Sequence, residues 1–260
     1  MISLIVPTLG RPSLQHLLDS IEAAIQRDGL IRDQDIEVVV SFDRDGTGVN
    51  RARNEGARKS QGEILWFLDD DTELPKTCRL RDLPLIFGNT STIAAGGLYF
   101  SKDDAGWIDR GYNAFCSAWR ASAGDKDREQ LLGGTLAVRK STWSDVGGFD
   151  ESIHYGGSET PFVNALRHKI DDGHDLRIEF RDELNVLHAA GPRAWTRWVQ
   201  IAAQQGRRKS VSFLPHPLRR FWKVLSFLQR QKFTTAFALA LFSIPFLLVS
   251  LFSQLTRYRD

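Results

Sequence analysis

The chain has 260 residues, 42% hydrophobic and 25% charged, a balance that suits one large domain or two small ones with a buried core and excludes a disordered chain. Its two cysteines, Cys78 and Cys116, lack C-x-x-C spacing, which excludes a disulfide framework and a zinc site and leaves two plain thiols. The net charge of +2 conceals an asymmetry: residues 207–260 hold ten of the 34 Lys/Arg and one of the 32 acids, so the body carries −7 and the tail +9.

The amino terminus "MISLIVPTLG" has no basic stretch and its apolar run stops at Pro7, so no signal peptide is expected and the body is expected to stay in the cytoplasm. Residues 2–6, "ISLIV", read as a buried strand. From Ser13, an expected N-cap, Leu14, Leu17, Leu18, Ile21, Ala24 and Ile25 recur at helical spacing. "IEVVVSF" (36–42) is a β-branched run, followed by the loop "DRDGTG" and a helical "NRARNEGARKSQG" closed by Gly62. "EILWFL" then supplies a third strand. The alternation predicts βαβαβ with parallel strands, which read as continuous apolar runs because both faces are buried.

Ligands bind such sheets outside the carboxyl ends of the strands, where "PTLGRP", "DRDGTG" and "DDDTELP" converge. Three adjacent carboxylates repel one another unless a cation intervenes, and hard oxygen donors suit Mg²⁺ or Mn²⁺ bridging to phosphate. A solvated acidic turn is the plainer reading of the same triplet.

Further along, "SKDDAGWIDRGYNAFCSAW" (101–119) looks loop-rich. "LLGGTLAVRKSTWSDVGGFDES" (131–152) reads as a strand of small residues, a short helix and a Gly-Gly turn. Trp195, Trp198 and Val199 stand at helical spacing, and with Trp107 and Trp119 they fit either sugar stacking or a core or interfacial role. Residues 233–256, "FTTAFALALFSIPFLLVSLFSQLT", contain no charge and could cross about 30 Å of hydrocarbon as a helix. Membrane attachment is expected, with spanning, re-entrant and in-plane arrangements all open around Pro245. The basic stretch 207–232 suits anionic lipid, and no nucleic-acid partner is expected because no nucleic-acid-binding fold accompanies it.

Taken in order, "VPTLGRP", "VVVSFD", "ARNEGA", "FLDDDTELP", "GGFDE" and "YGGSET" resemble the signatures of family 2 glycosyltransferases of the GT-A fold, from about residue 2 to about 190. The resemblance implies an α/β, Rossmann-like single domain with a mostly parallel sheet over 1–206, followed by the basic juxtamembrane region 207–232 and the apolar segment 233–256. It implies that Pro7, Thr8 and Arg11 line the nucleotide site, Asp43 meets the base, and Arg53 and Asn54 approach the nucleotide. Asp69 and Asp71 would form the D-x-D metal pair for Mg²⁺ or Mn²⁺. Asp69 and Asp70 also border the nucleotide, and Asp70, between the pair, is the aspartate whose loss should matter least. His188, ending "LNVLH", lies where some GT-A enzymes place a third metal ligand, though a His after a strand is also commonly structural. Gly133, Gly134 and Trp195 are implied at the sugar and acceptor.

In "HYGGSETPFVNALR", Glu159 falls on the position of the family's catalytic Asp, and Ser158 replaces the Glu before it, a departure that leaves acceptor positioning open. A nucleotide-diphospho-sugar (a UDP-sugar) and a glycan or lipid-linked hydroxyl acceptor are the implied partners, and an inverting transfer on the cytoplasmic face of a membrane the implied activity. Expelling a diphosphate requires charge stabilisation, to which Arg53 and the amino end of the helix near Asn50 would contribute; the acceptor requires a base. A retaining enzyme of the same fold, a catalytically impaired binding subunit and a nucleotidyltransferase are the rival readings. The absence of a Gly-rich, Lys-containing phosphate loop after the first strand counts against the last.

Overall fold

Three apolar runs lie side by side as β1 (Ile2–Thr8), β2 (Ile36–Phe42) and β3 (Ile64–Phe67), joined by α1 (Ser13–Asp28) and α2 (Val49–Lys59). The computed structural model describes residues 1–121, 131–153, 159–171, 175–189, 191 and 248–249. They fall into two units, one from Met1–Leu98 and Asp127–Leu187, the other from Tyr99–Lys126 and His188–Asp260.

In the first unit β1 pairs in parallel with β2 from Ile2↔Ile36 to Thr8↔Phe42, and with β3 from Ile2↔Ile64 to Ile5↔Phe67. Every residue of β1 is buried, as a strand covered on both faces requires. Pro7 fits because its missing N–H would point to the β3 side, where β3 has already ended at Phe67; Ile5 O, on that same side, accepts the last bond, from Leu68 N. On α1, Leu17, Ile21, Ala24 and Ile25 face the core as their spacing predicts, and Gly29 closes the helix at φ 66°. Pro12, not Ser13, holds the cap position, without a side-chain bond. Gly62 does not close α2, which ends at Lys59; a Cβ at Gly62 would lie 2.4 Å from Ser3 Oγ and 2.7 Å from Ser3 N. Close passage past β1, rather than helix termination, demands that glycine.

The chain continues through β4 (Thr72–Glu73), α3 (Leu83–Ile86) and β5 (Thr92–Gly96), leaves the first unit for β6 (Tyr99–Phe100) and α4 (Trp107–Ala121), and returns as β7 (Ala137–Arg139). After β7 come α5 (Lys140–Asp145), α6 (Thr160–Asp171), β8 (Arg177–Phe180) and β9 (Val186–His188). The central sheet has the order β2-β1-β3-β7-β5-β8, with β7 antiparallel to both neighbours and every other pair parallel. Phe67, Leu136, Val138, Trp143, Phe149, Phe162 and Leu166 form the core on one face, each worth about 1.5–3 kcal/mol where an aliphatic or Phe side chain is fully buried.

In the second unit, residues 107–121 are helix where loop is expected. Among the described side chains of α4, Asn113, Ala114 and Ser117 are buried. Ser117 Oγ donates to Tyr99 O at 2.8 Å and accepts from Tyr99 N at 3.2 Å. Trp107, 57% exposed, belongs to no core. Among the described residues no helix is long and apolar enough to cross a membrane. The expected segment 233–256, apart from Leu248 and Val249, and the boundaries at 206 and 232 lie outside the described residues.

Candidate active site

The parallel register brings the carboxyl ends of β1, β2 and β3 to one edge: Thr8 pairs with Phe42, Asp43 N donates to Thr8 O at 2.8 Å, and Asp69 follows β3 by one residue. Thr8 Oγ1 donates to Asp70 Oδ2 at 2.6 Å and accepts from Gly10 N at 2.9 Å, tying the first loop to the third. Arg11 Nη1 bridges Asp70 Oδ1 and Asp71 Oδ2, both at 3.2 Å. On the other side Arg53 Nη2, its side chain 4% exposed, meets Asp69 Oδ1 at 2.7 Å.

The triplet is therefore divided. The side chain of Asp70 is 6% exposed, against 26% for Asp69 and 13% for Asp71. Burial pushes the Asp70 carboxyl above its ordinary range; the Thr8 hydrogen bond and Arg11 pull the other way. Asp70, expected to matter least, is the residue that joins two loops. Asp69 and Asp71 keep oxygen donors near solvent, and hard carboxylates of this kind fit Mg²⁺ or Mn²⁺ completed by water and phosphate. Among the described residues no three His, Cys, Asp or Glu side chains stand grouped as a ready-made cation cage.

Asp43 organises its own loop. Oδ1 accepts from Thr47 N at 2.8 Å and from Thr47 Oγ1 at 3.1 Å, and Oδ2 accepts from Gly48 N at 2.9 Å. Gly48 is the N-cap residue of α2, so the Asp43 carboxylate sits beside the amino end of the helix expected to face a phosphate. Beside it a cavity of about 430 Å³ is lined by Phe42, Asp43, Thr47, Arg51 and Glu55, with the Phe42 ring 47% exposed.

The inward face of α2 binds the third element of the site. Asn54 Nδ2 donates to Phe149 O at 2.8 Å and to Glu151 Oε1 at 2.9 Å, while Asn54 Oδ1 accepts from Phe149 N at 2.9 Å. One turn earlier, Asn50 Nδ2 donates to Asp150 O at 2.7 Å. Asn54, expected on the nucleotide, has both amide hydrogens committed to the "GGFDE" loop. Gly148 adopts φ 72°, and a Cβ there would stand 2.8 Å from Asn54 Oδ1. The Phe149 ring meets Phe67 edge-on at 5.0 Å, stacks on Phe162 at 4.5 Å and lies beneath the Arg53 guanidinium at 5.4 Å. Phe162 belongs to α6, whose amino end carries Glu159: Glu159 O accepts from Val163 N at 3.0 Å. One phenyl ring thus connects the arginine on Asp69 to the helix that Glu159 begins. Asn50 and Phe149 escaped sequence reasoning, although Asn50 and Asn54 stand one helical turn apart.

Gly133 and Gly134 are buried in a 3₁₀ turn, Gly133–Thr135. A Cβ at Gly133 would lie 2.8 Å from Arg53 Nη2, so the glycine expected at the sugar makes room for the arginine. In the second unit His188 is buried, with Nδ1 2.6 Å from Asn113 Oδ1 and its ring stacked on Tyr99 at 4.4 Å. Ser158 and Trp195 lie outside the described residues.

An α/β unit with a mostly parallel sheet and an acidic loop flanked by arginines at its carboxyl edge has the architecture of the GT-A fold. The mannosyltransferase PcManGT from Pyrobaculum calidifontis, solved in complex with GDP-Man and Mn²⁺, superposes with a TM-score of 0.54 at 17% identity, over 98% of this chain and 86% of its own. Residues 42–144 match the model described as glycosyl transferase family 2. Glycosyltransferase AglE of Haloferax volcanii is 26% identical over 157 residues, 60% of this chain and 49% of the relative. The chain spans about half the length of that curated relative.

Proposed function

We propose that the protein transfers a sugar from a nucleotide-diphospho-sugar, a UDP-sugar in the first instance, to a hydroxyl of a glycan or lipid-linked acceptor, with inversion at the anomeric carbon. The observation that carries this reading is the convergence of Arg11, from the loop after β1, and Arg53, from α2, on three aspartates at the carboxyl edge of a parallel sheet. The match of residues 42–144 to the family 2 glycosyl transferase model and the GT-A fold support it.

In the transfer the acceptor oxygen attacks the anomeric carbon, the bond from that carbon to the diphosphate oxygen breaks, and the nucleoside diphosphate departs with the electron pair. Glu159 takes the hydroxyl proton. Arg11 and Arg53 are charged donors placed for a diphosphate. Asp69 and Asp71 are the residues that would hold Mg²⁺ or Mn²⁺, whose chemistry there is neutralisation of the charge that develops on the leaving group. Asp43 and the exposed Phe42 stand where a base enters. The charge-free run 233–256 and the basic stretch before it support attachment to the cytoplasmic face of a membrane, close to a lipid-linked acceptor.

A thermal-shift series of UDP-, GDP- and dTDP-sugars, each with and without Mn²⁺, tests the reading. A shift for one nucleotide that requires the cation identifies the donor base, and transfer from that donor to a membrane glycolipid fraction then gives the product for anomer analysis. Absence of a shift with every nucleotide sugar overturns the proposal.

A further inference from the structure

The ring of Phe149 touches three elements that carry the groups of the proposed reaction, and all of them belong to the first unit. Phe67, met edge-on at 85°, ends β3 two residues before Asp69. The Arg53 guanidinium, which extends from α2 to Asp69, lies over the face of the ring. Phe162, stacked on the ring at 23°, belongs to α6, which begins directly after Glu159.

Phe149 stands between α5 and α6, where no helix or strand ladder fixes its backbone. Asn54 fixes it instead, accepting from its N–H and donating to its C=O, and Asn54 follows Arg53 on α2. Ring and arginine are therefore mounted on one helix. Filling the buried volume of this ring requires only hydrocarbon, which leucine or methionine also supplies. Holding a guanidinium requires the negative face of an aromatic ring, an attraction that is stronger where water is excluded. The Arg53 side chain is 4% exposed and Phe149 2%, so this contact is of the desolvated kind. The edge of the guanidinium meets Asp69 and, at 3.4 Å, Asn50 Oδ1, while its face rests on the phenyl. When Asp69 takes another partner, the face contact still sets the direction of the arginine.

We propose that Phe149 is a positioning residue: its face holds Arg53 ready for the donor diphosphate, and its stack on Phe162 ties that arginine to the helix that follows Glu159. The inference rests on the donor reading above, and the experiment separates the two. In the full chain, Phe149→Leu, Phe149→Met and Phe162→Leu are compared with wild type. The measurements are Tm, affinity for UDP and for GDP with Mn²⁺ present, and kcat with the sugar donor of whichever nucleotide binds. Both Phe149 variants bind that nucleotide about 3- to 10-fold more weakly, the cost of ordering an arginine that the ring no longer holds. Their kcat falls by about 10- to 100-fold, the scale of a misplaced reacting group. Phe149→Met regains part of the Tm that Phe149→Leu loses but none of the affinity. Phe162→Leu, which keeps the contact with Arg53, lowers kcat and leaves nucleotide affinity unchanged. In the double variant Phe149→Leu/Phe162→Leu, kcat falls by less than the product of the two single losses, because both act through one stack. If affinity and kcat recover with Tm in Phe149→Met, the ring only fills space and the inference is overturned. Equal loss of affinity in Phe162→Leu overturns it as well. Wild-type affinity and kcat in both Phe149 variants overturn the inference alone, whereas a wild type that binds neither nucleotide overturns the donor reading and the inference with it.

Discussion

Replacing Asn54 with Ala separates a residue that builds the site from one that touches the donor. The Asn54 side chain is 3% exposed as a residue and satisfies both polar groups of the Phe149 peptide, N–H at 2.9 Å and C=O at 2.8 Å. Alanine reaches neither, and each buried backbone group left unpaired costs about 1–3 kcal/mol. With two such groups the loss centres near 4 kcal/mol, and for a chain of this size that lowers Tm by about 8–16 °C. Glu151 loses its bond from Asn54 but keeps Arg58 at 3.5 Å, so its share is small. Asn54→Asp sharpens the test, since a carboxylate still accepts from Phe149 N yet sets a second negative oxygen against Phe149 O and Glu151; its Tm falls at least as far at neutral pH. Melting followed by circular dichroism, with nucleotide affinity measured well below both transitions, supplies the assay. A Tm within about 2 °C of wild type together with lost nucleotide affinity refutes the structural assignment and returns Asn54 to the donor.

Glu159→Gln removes the proposed base while keeping size, and lowers kcat by about 10²- to 10⁴-fold with donor affinity intact; an unchanged kcat removes Glu159 from the mechanism. Gly133→Ala sets a Cβ 2.8 Å from Arg53 Nη2 and pushes the guanidinium from Asp69, so nucleotide-dependent thermal stabilisation should shrink while the unliganded Tm changes less. Equal nucleotide-dependent shifts for variant and wild type count against Arg53 as a donor contact. Cys78, its thiol pushed up to about 12 by burial, should resist iodoacetamide at pH 8.5 in the folded protein and react on unfolding. The sign of the linkage follows: the folded state favours the neutral thiol, so this stabilising contribution is complete below the unfolded pKa and disappears as pH rises toward about 12. Melting curves of wild type and Cys78→Ala should therefore converge with alkalinity, and a constant Tm difference from pH 8 to 11 contradicts the assignment.

The half of the fold that was legible is the half whose strands are buried on both faces. "ISLIV", "IEVVVSF" and "EILWFL" announce themselves because a covered parallel strand has no polar side, and their carboxyl ends then locate the loops. β7 is three residues long and β5 reads "TIAAG", so neither carries a period that distinguishes strand from loop. The reversed direction of β7 is a tertiary outcome: it enters between β3 and β5, contacts far apart in sequence. α4 was missed for a different reason: Ile108, Tyr112, Phe115 and Trp119 recur at helical spacing, but the acidic and glycine-bearing run before and among them reads as loop, and Asn113 and Ser117 are buried with hydrogen bonds. Site residues show the same limit. A motif fixes that Asn54, Asp43 and Gly133 stand at the carboxyl edge of the sheet; it does not fix whether their polar atoms and empty space face a ligand, their own loop or Arg53.

That distinction bears most on the three aspartates. Two unit charges about 4 Å apart interact by about 4 kcal/mol at an effective dielectric constant of 20, so a triplet of carboxylates without compensation would strain the loop that holds it. Arg11, from the loop after β1, and Arg53, from α2, provide the compensation, and each is a side chain that a diphosphate can claim. In the proposed donor complex, phosphate oxygens would take the arginines, and Asp69 and Asp71 are the residues that would hold a divalent cation. Neither charge need be stranded while the other is satisfied, whereas nucleotide alone would leave the carboxylates bare and cation alone would have to displace two arginines. Asp70 would give up Arg11 in this exchange but keep the Thr8 hydrogen bond and its burial. The Thr8–Asp70 hydrogen bond would keep the first and third loops together in both states.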